Sequence, residues 1–503
     1  MNINPKVGLF YRFFLLALFF SAVLFLISPA YAQQVIEKSV VKIYTTQRTP
    51  DVFKPWSKMS SNEISGSGVV ISGNRILTNA HVVTYASQVY VQPYQSADKI
   101  SAKVLGIAPG IDLAILKLDD EDFFKDHPPL PMSDVVPKPG EKVNAYGYPM
   151  GGAGLSVTEG IVSRIEFSSY YYDTAGLRIQ VDAALNPGNS GGPVISDKKI
   201  VGIVFSGIRQ ADNIGYLIPV EEVKLFLDDM KDDKYDGKPM MFDQLQTLEN
   251  DALREKLGLK KSQTGMMVTK PYGDTEKNLL KKWDILTRIG DNNIDNEGKV
   301  ITKDGLRLNF AYMIQHLVKN NKIDLTIIRN GKDMKIELPL ESERNSLVPS
   351  LKGSYPSYFI YGPLVFSVAT SDFLGHLQRN WFSDLLRSSS PLITRLNDPA
   401  TPDQEQLIII SSTMFSSKIT KGYGDPLSQV IKDINGIKIK NIKHLVKVIR
   451  DIKGPYVEIN FAGNYVETMI FKKDEMEAAT EDILSENGIR FQCSSDLMPL
   501  LKH

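Results

Sequence analysis

The stretch Asn186-Pro187-Gly188-Asn189-Ser190-Gly191-Gly192-Pro193 places one serine among glycines. Glycine permits backbone conformations in which several N–H groups converge on one point. A nucleophilic serine needs such a turn, because its tetrahedral intermediate carries an oxyanion that backbone donors stabilise. The same residue types also dominate ordinary surface loops. The stretch is therefore a candidate nucleophile loop only if the chain also supplies a base and an orienting carboxylate.

Length and composition limit the class of protein. A chain of 503 residues exceeds one hydrophobic core, which predicts about two to four domains. The formal net charge is zero and no basic run carries interleaved aromatics, so we expect no nucleic-acid partner. The single cysteine, Cys493, excludes an intrachain disulfide and has no base-like neighbour, so we interpret it as structural.

The first residues have the pattern of a secretory signal peptide. Lys6 and Arg12 precede an apolar run from Phe13 to Ile27, and Ala30-Tyr31-Ala32 resembles a cleavage site. We expect residues 1–32 to be removed after Ala32, with an uncleaved anchor as the alternative. The lack of disulfides favours the bacterial periplasm as the destination, with secretion as the alternative.

Residues 35–220 have an all-β pattern. Short β-branched runs are separated by glycine, proline and asparagine, which is typical of a barrel or a sandwich. A helix with apolar residues at Val223, Phe226, Leu227 and Met230 follows, and a charged segment up to Pro239 marks a boundary. The runs are Gly68–Ile71, Val89–Val91, Leu113–Leu118, Lys142–Tyr146, Gly160–Ile165, Leu177–Val181 and Ile200–Phe205.

The second half of the chain contains a repeat. Ile314–Lys319 recurs as Ile442–Lys447, and a β-hairpin pattern follows each copy. Two copies of one small α+β module explain this, the second with an inserted helical stretch between Ser371 and Gln406. The predicted boundaries are 33–235 for the β domain, 240–342 and 343–475 for the modules, and 476–503 for a tail.

Among the six histidines, His81 is the best candidate base. It follows an apolar strand and has small neighbours, so its ring could reach a cleft. The other five lie in the repeated helices, in a proline-flanked loop, in the insertion and at the C-terminus. A structural role is the alternative for His81.

Asp112 is the best candidate for the orienting carboxylate. It opens the strongly apolar run Leu113–Leu116, so it should be partly buried and in need of a partner. An imidazole N–H is a suitable one. The alternative is an aspartate that caps a turn at the start of a strand.

Taken together, several motifs resemble the Deg/HtrA family of serine proteases. They are Thr78–Val83, Asp112–Lys117 and Gly188–Pro193, together with Gly66-Ser67-Gly68 and Gly147-Tyr148-Pro149. The resemblance implies a multidomain protein with an all-β chymotrypsin-like double barrel followed by two α+β PDZ-like domains. The layout is most similar to the plant and bacterial branch with a long, divergent second PDZ.

The resemblance also implies roles for individual residues. His81 would be the general base, Asp112 would orient it, and Ser190 would attack the scissile carbonyl. Backbone N–H groups of Gly188, Asn189 and Ser190 would form the oxyanion hole. The S1 pocket would be lined by Ile203, Val204, Phe205 and Ile214, which favours small or medium apolar P1 residues.

For the PDZ-like modules the resemblance implies capture of peptide C-termini by backbone donors. Leu257-Gly258-Leu259 is the candidate carboxylate loop of the first module. In the second module Tyr361-Gly362-Pro363-Leu364 contains a proline, which removes a donor. We therefore expect the second module to serve assembly instead.

These inferences predict an exported, ATP-independent serine endopeptidase that cleaves unfolded or damaged protein, with no cofactor and no metal. By the resemblance we expect a homotrimer or a multiple of three, with Val52, Phe53 and Trp56 as candidate contacts. The main alternative is a chaperone-like or PDZ-mediated peptide-binding protein with little proteolysis. A hydrolase of small esters has no positive support in the sequence.

Overall fold

A computed structural model describes residues 33–150, 152, 154–207, 214–273 and 279–501. The predicted signal peptide, residues 1–32, lies outside these ranges. Within them, no helix has both the length and the apolar character that a membrane crossing requires.

The first β-barrel begins after a helical segment at residues 33–39 (α1). Its six strands close in the order β1-β2-β3-β6-β5-β4, and a short helix, α2, follows β3. The bounds are β1 (Val40–Gln47), β2 (Asn62–Ile71), β3 (Arg75–Thr78), α2 (Ala80–Val83), β4 (Ala86–Gln92), β5 (Ile100–Ala108) and β6 (Leu113–Leu118).

The second barrel has the same number of strands and closes in the order β10-β11-β12-β9-β8-β7. Helix α3 follows its last strand and packs onto the space between the barrels through Val223 and Phe226. The bounds are β7 (Lys142–Gly147), β8 (Ser156–Ser169), β9 (Ala175–Val181), β10 (Pro193–Ser196), β11 (Lys199–Gly207), β12 (Gly215–Pro219) and α3 (Val220–Asp229).

Strand β6 explains how Asp112 is positioned. Successive side chains of a strand point to opposite faces. Leu113 and Ile115 therefore join the apolar cluster between the barrels, whereas Ala114 and Leu116 fill the interior of the first barrel. Asp112 immediately precedes this doubly buried strand and so enters the seam between the two barrels.

The first α+β module is a sheet in the order β13-β14-β15-β19-β20, with β13 at an edge. Met240 pairs with Glu341, which ties its two ends together. The bounds are β13 (Gln244–Thr247), α4 (Asp251–Lys256), β14 (Met266–Lys270), β15 (Ile285–Ile289), β16 (Asn292–Asn293), β17 (Lys299–Ile301), β18 (Arg307–Asn309), α5 (Ile314–Leu317), β19 (Lys322–Arg329) and β20 (Lys332–Pro339).

The second module repeats this plan in a sheet ordered β21-β22-β23-β24-β26-β27 and adds three short helices after β22. The bounds are β21 (Tyr358–Tyr361), β22 (Leu364–Val368), α6 (Ser371–His376), α7 (Arg379–Arg387), α8 (Pro391–Thr394), β23 (Ile408–Ile410), β24 (Val430–Ile434), β25 (Ile437–Lys438), α9 (Ile442–Arg450), β26 (Tyr456–Ala462), β27 (Met469–Lys472), α10 (Lys473–Glu486) and α11 (Met498–Leu501).

The prediction of a separate tail from residue 476 is wrong. Met476 on α10 and Leu497 are fully buried in the core of the second module, and Cys493 forms a β-bridge with Phe359. Burial raises the pKa of the Cys493 thiol to about 11, so the thiol stays protonated at neutral pH and fills core space. The module therefore extends to the last described residues.

The loop between β1 and β2 packs against the second module. Val52 is 5% exposed and shares an apolar cluster with Leu347 and Phe373. The ring of Trp56 lies 5.6 Å from that of Phe415. Val52, Phe53 and Trp56 thus make contacts within one chain. These contacts enclose Val52, whereas Phe53 and Trp56 are half-buried and their contact with another subunit stays a prediction.

The linker to the first module is tied to the double-barrel domain. Lys238 Nζ lies 2.6 Å from Glu222 Oε2 on α3, and both side chains are buried. Lys238 Nζ also donates to Oε1 of Gln315, on the repeated helix α5, at 2.9 Å. The charged segment that predicted a boundary therefore ends in a buried ion pair, which connects the linker to α3.

Candidate active site

His81 and Asp112 form a close pair. His81 lies on α2, and its Nδ1 is 2.7 Å from Oδ2 of Asp112. The other carboxylate oxygen accepts the backbone N–H of His81 at 2.8 Å. Asp112 is 1% exposed, whereas the side chain of His81 is 45% exposed. Asp112 is thus held inside the protein, whereas the ring of His81 is accessible from solvent.

The pairing decides the form of the imidazole. An ionised carboxylate can only accept hydrogen bonds, so the proton of neutral His81 lies on Nδ1. Nε2 is then left with a lone pair, which is the form that a general base requires. Asp112 also adopts a φ of +57°, and the side chain of Asn79 donates to its carbonyl oxygen at 2.9 Å. This contact holds the strained residue in place.

The Ser190 loop belongs to the second barrel but is fastened by Ser67 of the first. Ser67 Oγ donates to the carbonyl oxygen of Gly188 at 2.7 Å and accepts the N–H of Tyr148 at 2.8 Å. The N–H of Ser67 donates to the carbonyl oxygen of Ser190 at 2.9 Å. Ser67 therefore positions the loop, a role that the Gly66-Ser67-Gly68 motif could have suggested.

The glycines on either side of Ser190 are required sterically. Gly188 has a φ of +100°, and a Cβ there would lie 2.4 Å from the carbonyl oxygen of Tyr148. Gly191 has a φ of +86°, and a Cβ would lie 2.3 Å from the carbonyl oxygen of Ser67. No other residue fits either position without displacing the backbone.

The structure differs from the prediction at Asn189. Its N–H donates to the carbonyl oxygen of Asn186 at 3.0 Å, so it is turned away from any oxyanion. The N–H groups of Gly188 and Ser190 make no backbone hydrogen bond to any residue that the structure describes. The candidate oxyanion donors are thus Gly188 and Ser190 alone.

The Ser190 loop and the segment that carries His81 approach each other beside Gly66. A Cβ built on Gly66 would lie 2.8 Å from the side chain of Val82, next to His81, and 3.3 Å from the carbonyl oxygen of Ser190. Within the described ranges no hydrogen bond joins Ser190 Oγ to the His81 ring. Hydrogen bonds of this kind are often long before substrate binds.

Three of the four predicted S1 residues are wrong. Ile203 is 0% exposed in the cluster between the barrels, and Val204 is 2% exposed in the interior of the second barrel. Phe205 is 4% exposed in the same cluster as Ile203, and its ring lies 5.1 Å from that of Tyr170. Side chains this enclosed form no wall of an open pocket. Ile214 is half-buried, and its S1 assignment stays a prediction.

The predicted carboxylate loop of the first module is also wrong. Leu257-Gly258-Leu259 ends helix α4, with Gly258 at a φ of +68°. Its three N–H groups donate to carbonyl oxygens of Leu253, Glu255 and Arg254 at 2.9–3.0 Å. Because helix capping uses every donor, none is left for a peptide carboxylate.

In the second module the equivalent sheet edge is covered by the chain itself. Strand β22 corresponds to β13, and β21 pairs with it from Tyr358–Ser367 to Tyr361–Leu364. The N–H of Gly362 in the intervening turn donates to Thr480 Oγ1 at 2.7 Å. The edge and the turn that would hold a peptide are therefore both occupied.

Comparison with known proteins agrees with this geometry. The family of trypsin-like peptidase domains matches residues 66–203, and the PDZ domain family matches residues 349–496. The chloroplastic protease Do-like 2 of Arabidopsis thaliana is 35% identical over 468 residues, which span 92% of this chain and 75% of that protein. This chain belongs to the Do-like, or Deg/HtrA, family of serine proteases.

Other members extend the comparison. The mitochondrial protease Do-like 4 of Arabidopsis thaliana is 34% identical, spanning 82% of this chain and 76% of its own. The solved structure of the HtrA-type protease AlgW with a tripeptide superposes with a TM-score of 0.50 and 25% identity, covering 62% of this chain and 96% of AlgW. The Do-like chain is thus a serine endopeptidase with a double-barrel domain and PDZ-like modules.

Removing the Ser67 hydroxyl tests whether it positions the nucleophile loop. Ser67→Ala leaves the buried Gly188 carbonyl and Tyr148 N–H without their partner, which should cost about 1–3 kcal/mol of unfolding free energy. The displaced loop should lower kcat/KM by about 10- to 100-fold, measured with a quenched peptide.

Ser65→Ala is the matched control. Ser65 lies two residues earlier on the same strand, is half-buried, and its hydroxyl makes no hydrogen bond within the described residues. Full activity of Ser67→Ala would mean that the glycines alone hold the loop.

Proposed function

We propose that this protease cleaves peptide bonds through a triad of His81, Asp112 and Ser190, with the N–H groups of Gly188 and Ser190 as the oxyanion hole. The 2.7 Å contact between His81 and the buried Asp112 carries the proposal, because it leaves the lone pair on Nε2 available to accept a proton. The base takes the Ser190 proton during attack and returns it to the leaving amine. Asp112 stabilises the imidazolium in between.

The proposed substrates are unfolded or damaged proteins, cut without ATP for protein quality control outside the cytoplasm. The signal-peptide pattern of residues 1–32 supports export to the periplasm. The N-terminal sequence of the protein recovered from that compartment tests this, with Gln33 expected as the first residue. The side chain of His81 is 45% exposed, so an extended segment of an unfolded substrate can reach it. A folded protein does not offer such a segment.

Peptide C-termini are proposed to bind the first module at the open edge of β13. That strand pairs only with β14 among the described strands, and Gln244, Gln246 and Thr247 are exposed. An added peptide strand would find backbone partners there. For the assembly, the family favours a trimer or a multiple of three, and the mass of the protein in solution tests it.

Labelling with a fluorophosphonate distinguishes the protease from a chaperone. We expect the mature chain to degrade unfolded casein equally with and without ATP, and to take one probe molecule at Ser190, mapped by peptide mass. The urea-unfolded chain is the control and should stay unlabelled, because only the fold activates the serine. Protection of casein from aggregation without cleavage or labelling would support the binding role instead.

A further inference from the structure

A cleft of about 250 Å³ lies beside the candidate base. The ring of His81 forms one side of it. Pro109, Tyr85, Tyr171 and Tyr172 supply its apolar walls, and Gln47, Ala80, Thr84 and Asp112 complete the lining. Tyr171 and Tyr172 are 45% and 40% exposed, so their rings are accessible from this space. Aromatic and proline walls of this kind suit an apolar side chain.

One wall comes from the second barrel. Tyr171 and Tyr172 form the turn between β8 and β9, and the N–H of Tyr171 donates to the carbonyl oxygen of Gly110 at 3.1 Å. The ring of Tyr171 packs 5.7 Å from Phe205 on β11, the strand that the family resemblance places beside S1. The cleft therefore lies between His81 and the S1 side of the catalytic centre.

The opposite wall, Tyr85, is held by the second PDZ-like module. Its hydroxyl donates to the carbonyl oxygen of Ser354 at 3.2 Å, and its ring lies 5.4 Å from that of Tyr355. Tyr355 in turn donates to the carbonyl oxygen of Arg48 at 2.8 Å, and the N–H of Arg48 donates to the carbonyl oxygen of Tyr85 at 2.9 Å. These contacts join Tyr85 and Arg48 of the first barrel to Ser354 and Tyr355 of the second module.

Tyr85 would not keep this position by its own preference. Its φ is +59°, in the left-handed region that bulky residues rarely adopt. Burial and the nearby carboxylate of Asp372, on α6 of the second module, both raise the pKa of the Tyr85 hydroxyl. Burial and the carboxylates of Asp372 and Asp112 also raise the pKa of the Tyr172 hydroxyl.

We propose that this cleft binds an aromatic or large aliphatic side chain at P2, the residue before P1, and that the second PDZ-like module sets this selectivity by holding Tyr85. In an extended peptide neighbouring side chains point to opposite sides. With P1 directed into S1, the P2 side chain is directed toward His81. The second module, whose peptide-binding sheet edge is covered by β21, thus acts in substrate selection. This inference rests on the proposed triad.

Peptides that differ only at P2 test the inference. We expect wild-type kcat/KM to be about tenfold higher with Phe than with Gly at P2. Tyr85→Ala and Tyr172→Ala should each reduce this ratio to about twofold, because each removes a wall. Tyr355→Ala should lower the ratio by a factor of about three, while kcat for the P2-glycine peptide stays within about twofold of wild type.

Tyr355 is a positioning residue, so its test needs a readout that lost stability would not move. The P2 ratio is such a readout, with rates normalised to active sites titrated by fluorophosphonate. Tyr355→Phe keeps the ring that packs on Tyr85 and loses only the hydrogen bond to Arg48, so it should retain most of the ratio. Tyr465→Ala is the matched control, since Tyr465 is 94% exposed on the same module. It should leave the ratio unchanged.

The outcomes separate this inference from the triad. A wild-type ratio near one, or a ratio that survives both Tyr85→Ala and Tyr172→Ala, would overturn the P2 subsite while leaving labelling of Ser190 intact. A ratio that survives Tyr355→Ala would overturn the role of the module. A wild-type chain that neither labels nor cleaves would overturn the proposed function, and this inference with it.

Discussion

Ser190→Ala lowers kcat by about 10⁶-fold, His81→Ala lowers it by about as much, and the double variant is no slower than either single variant. The two groups act as a unit, since the base has no proton to accept once Oγ is gone. The residual rate should stay about 10³–10⁴-fold above that in water, because the N–H groups of Gly188 and Ser190 still bind the oxyanion.

Single-turnover cleavage of a quenched peptide by the purified variants measures these rates. Ser190→Ala should retain wild-type thermal stability, because the loop contact to Ser67 is made by the backbone carbonyl of Ser190. Losses that multiply in the double variant would show that the two residues act independently, which contradicts the triad.

The second large effect is expected for Asp112→Asn, which should lower kcat by about 10⁴-fold with little change in KM. Asp112 accepts two hydrogen bonds, from the N–H and from Nδ1 of His81, at 2.8 and 2.7 Å. An amide has one oxygen and one NH₂ group. With its oxygen on the backbone N–H, the NH₂ group faces Nδ1 and forces the ring proton onto Nε2. The base is then in the wrong tautomer.

Asp119→Asn is the matched control for this charge change. Asp119 is on the surface in an ion pair with Lys103, and its loss should leave kcat within about twofold. An Asp112→Asn variant as active as this control would show that the carboxylate is not needed. In that case the close pair would serve only to pack α2.

Strand β6 could be predicted because it is buried on both faces. The run Leu113–Leu116 has uniform apolar character because both barrel surfaces cover it. Strand β5, Ile100–Ala108, was not among the predicted runs, because Ala102 and Ala108 are its only buried residues and its pattern resembles a loop. The repeat located α5 and α9 correctly, since similar residues must bury similar faces.

The catalytic residue types could be proposed from the sequence, but their hydrogen bonds could not. Whether Asn189 offers its N–H to a substrate depends on the turn closed by Asn186. Whether Leu257–Leu259 can hold a carboxylate depends on whether α4 extends up to it. In both cases a local contact uses the donor, and no residue type reveals that choice.

By itself, the sequence determined which positions tolerate the required chemistry. Glycines at 188 and 191 permit a positive φ, a serine stands between them, and one histidine and one aspartate stand at strand ends. Only the tertiary structure decided what each group meets. It fastened Ser190 to Ser67, placed Val52 and Trp56 against the second module, and brought Tyr355 to the side of Tyr85. Torsional freedom is a property of each residue, whereas burial and hydrogen-bond partners arise from segments that lie far apart along the chain.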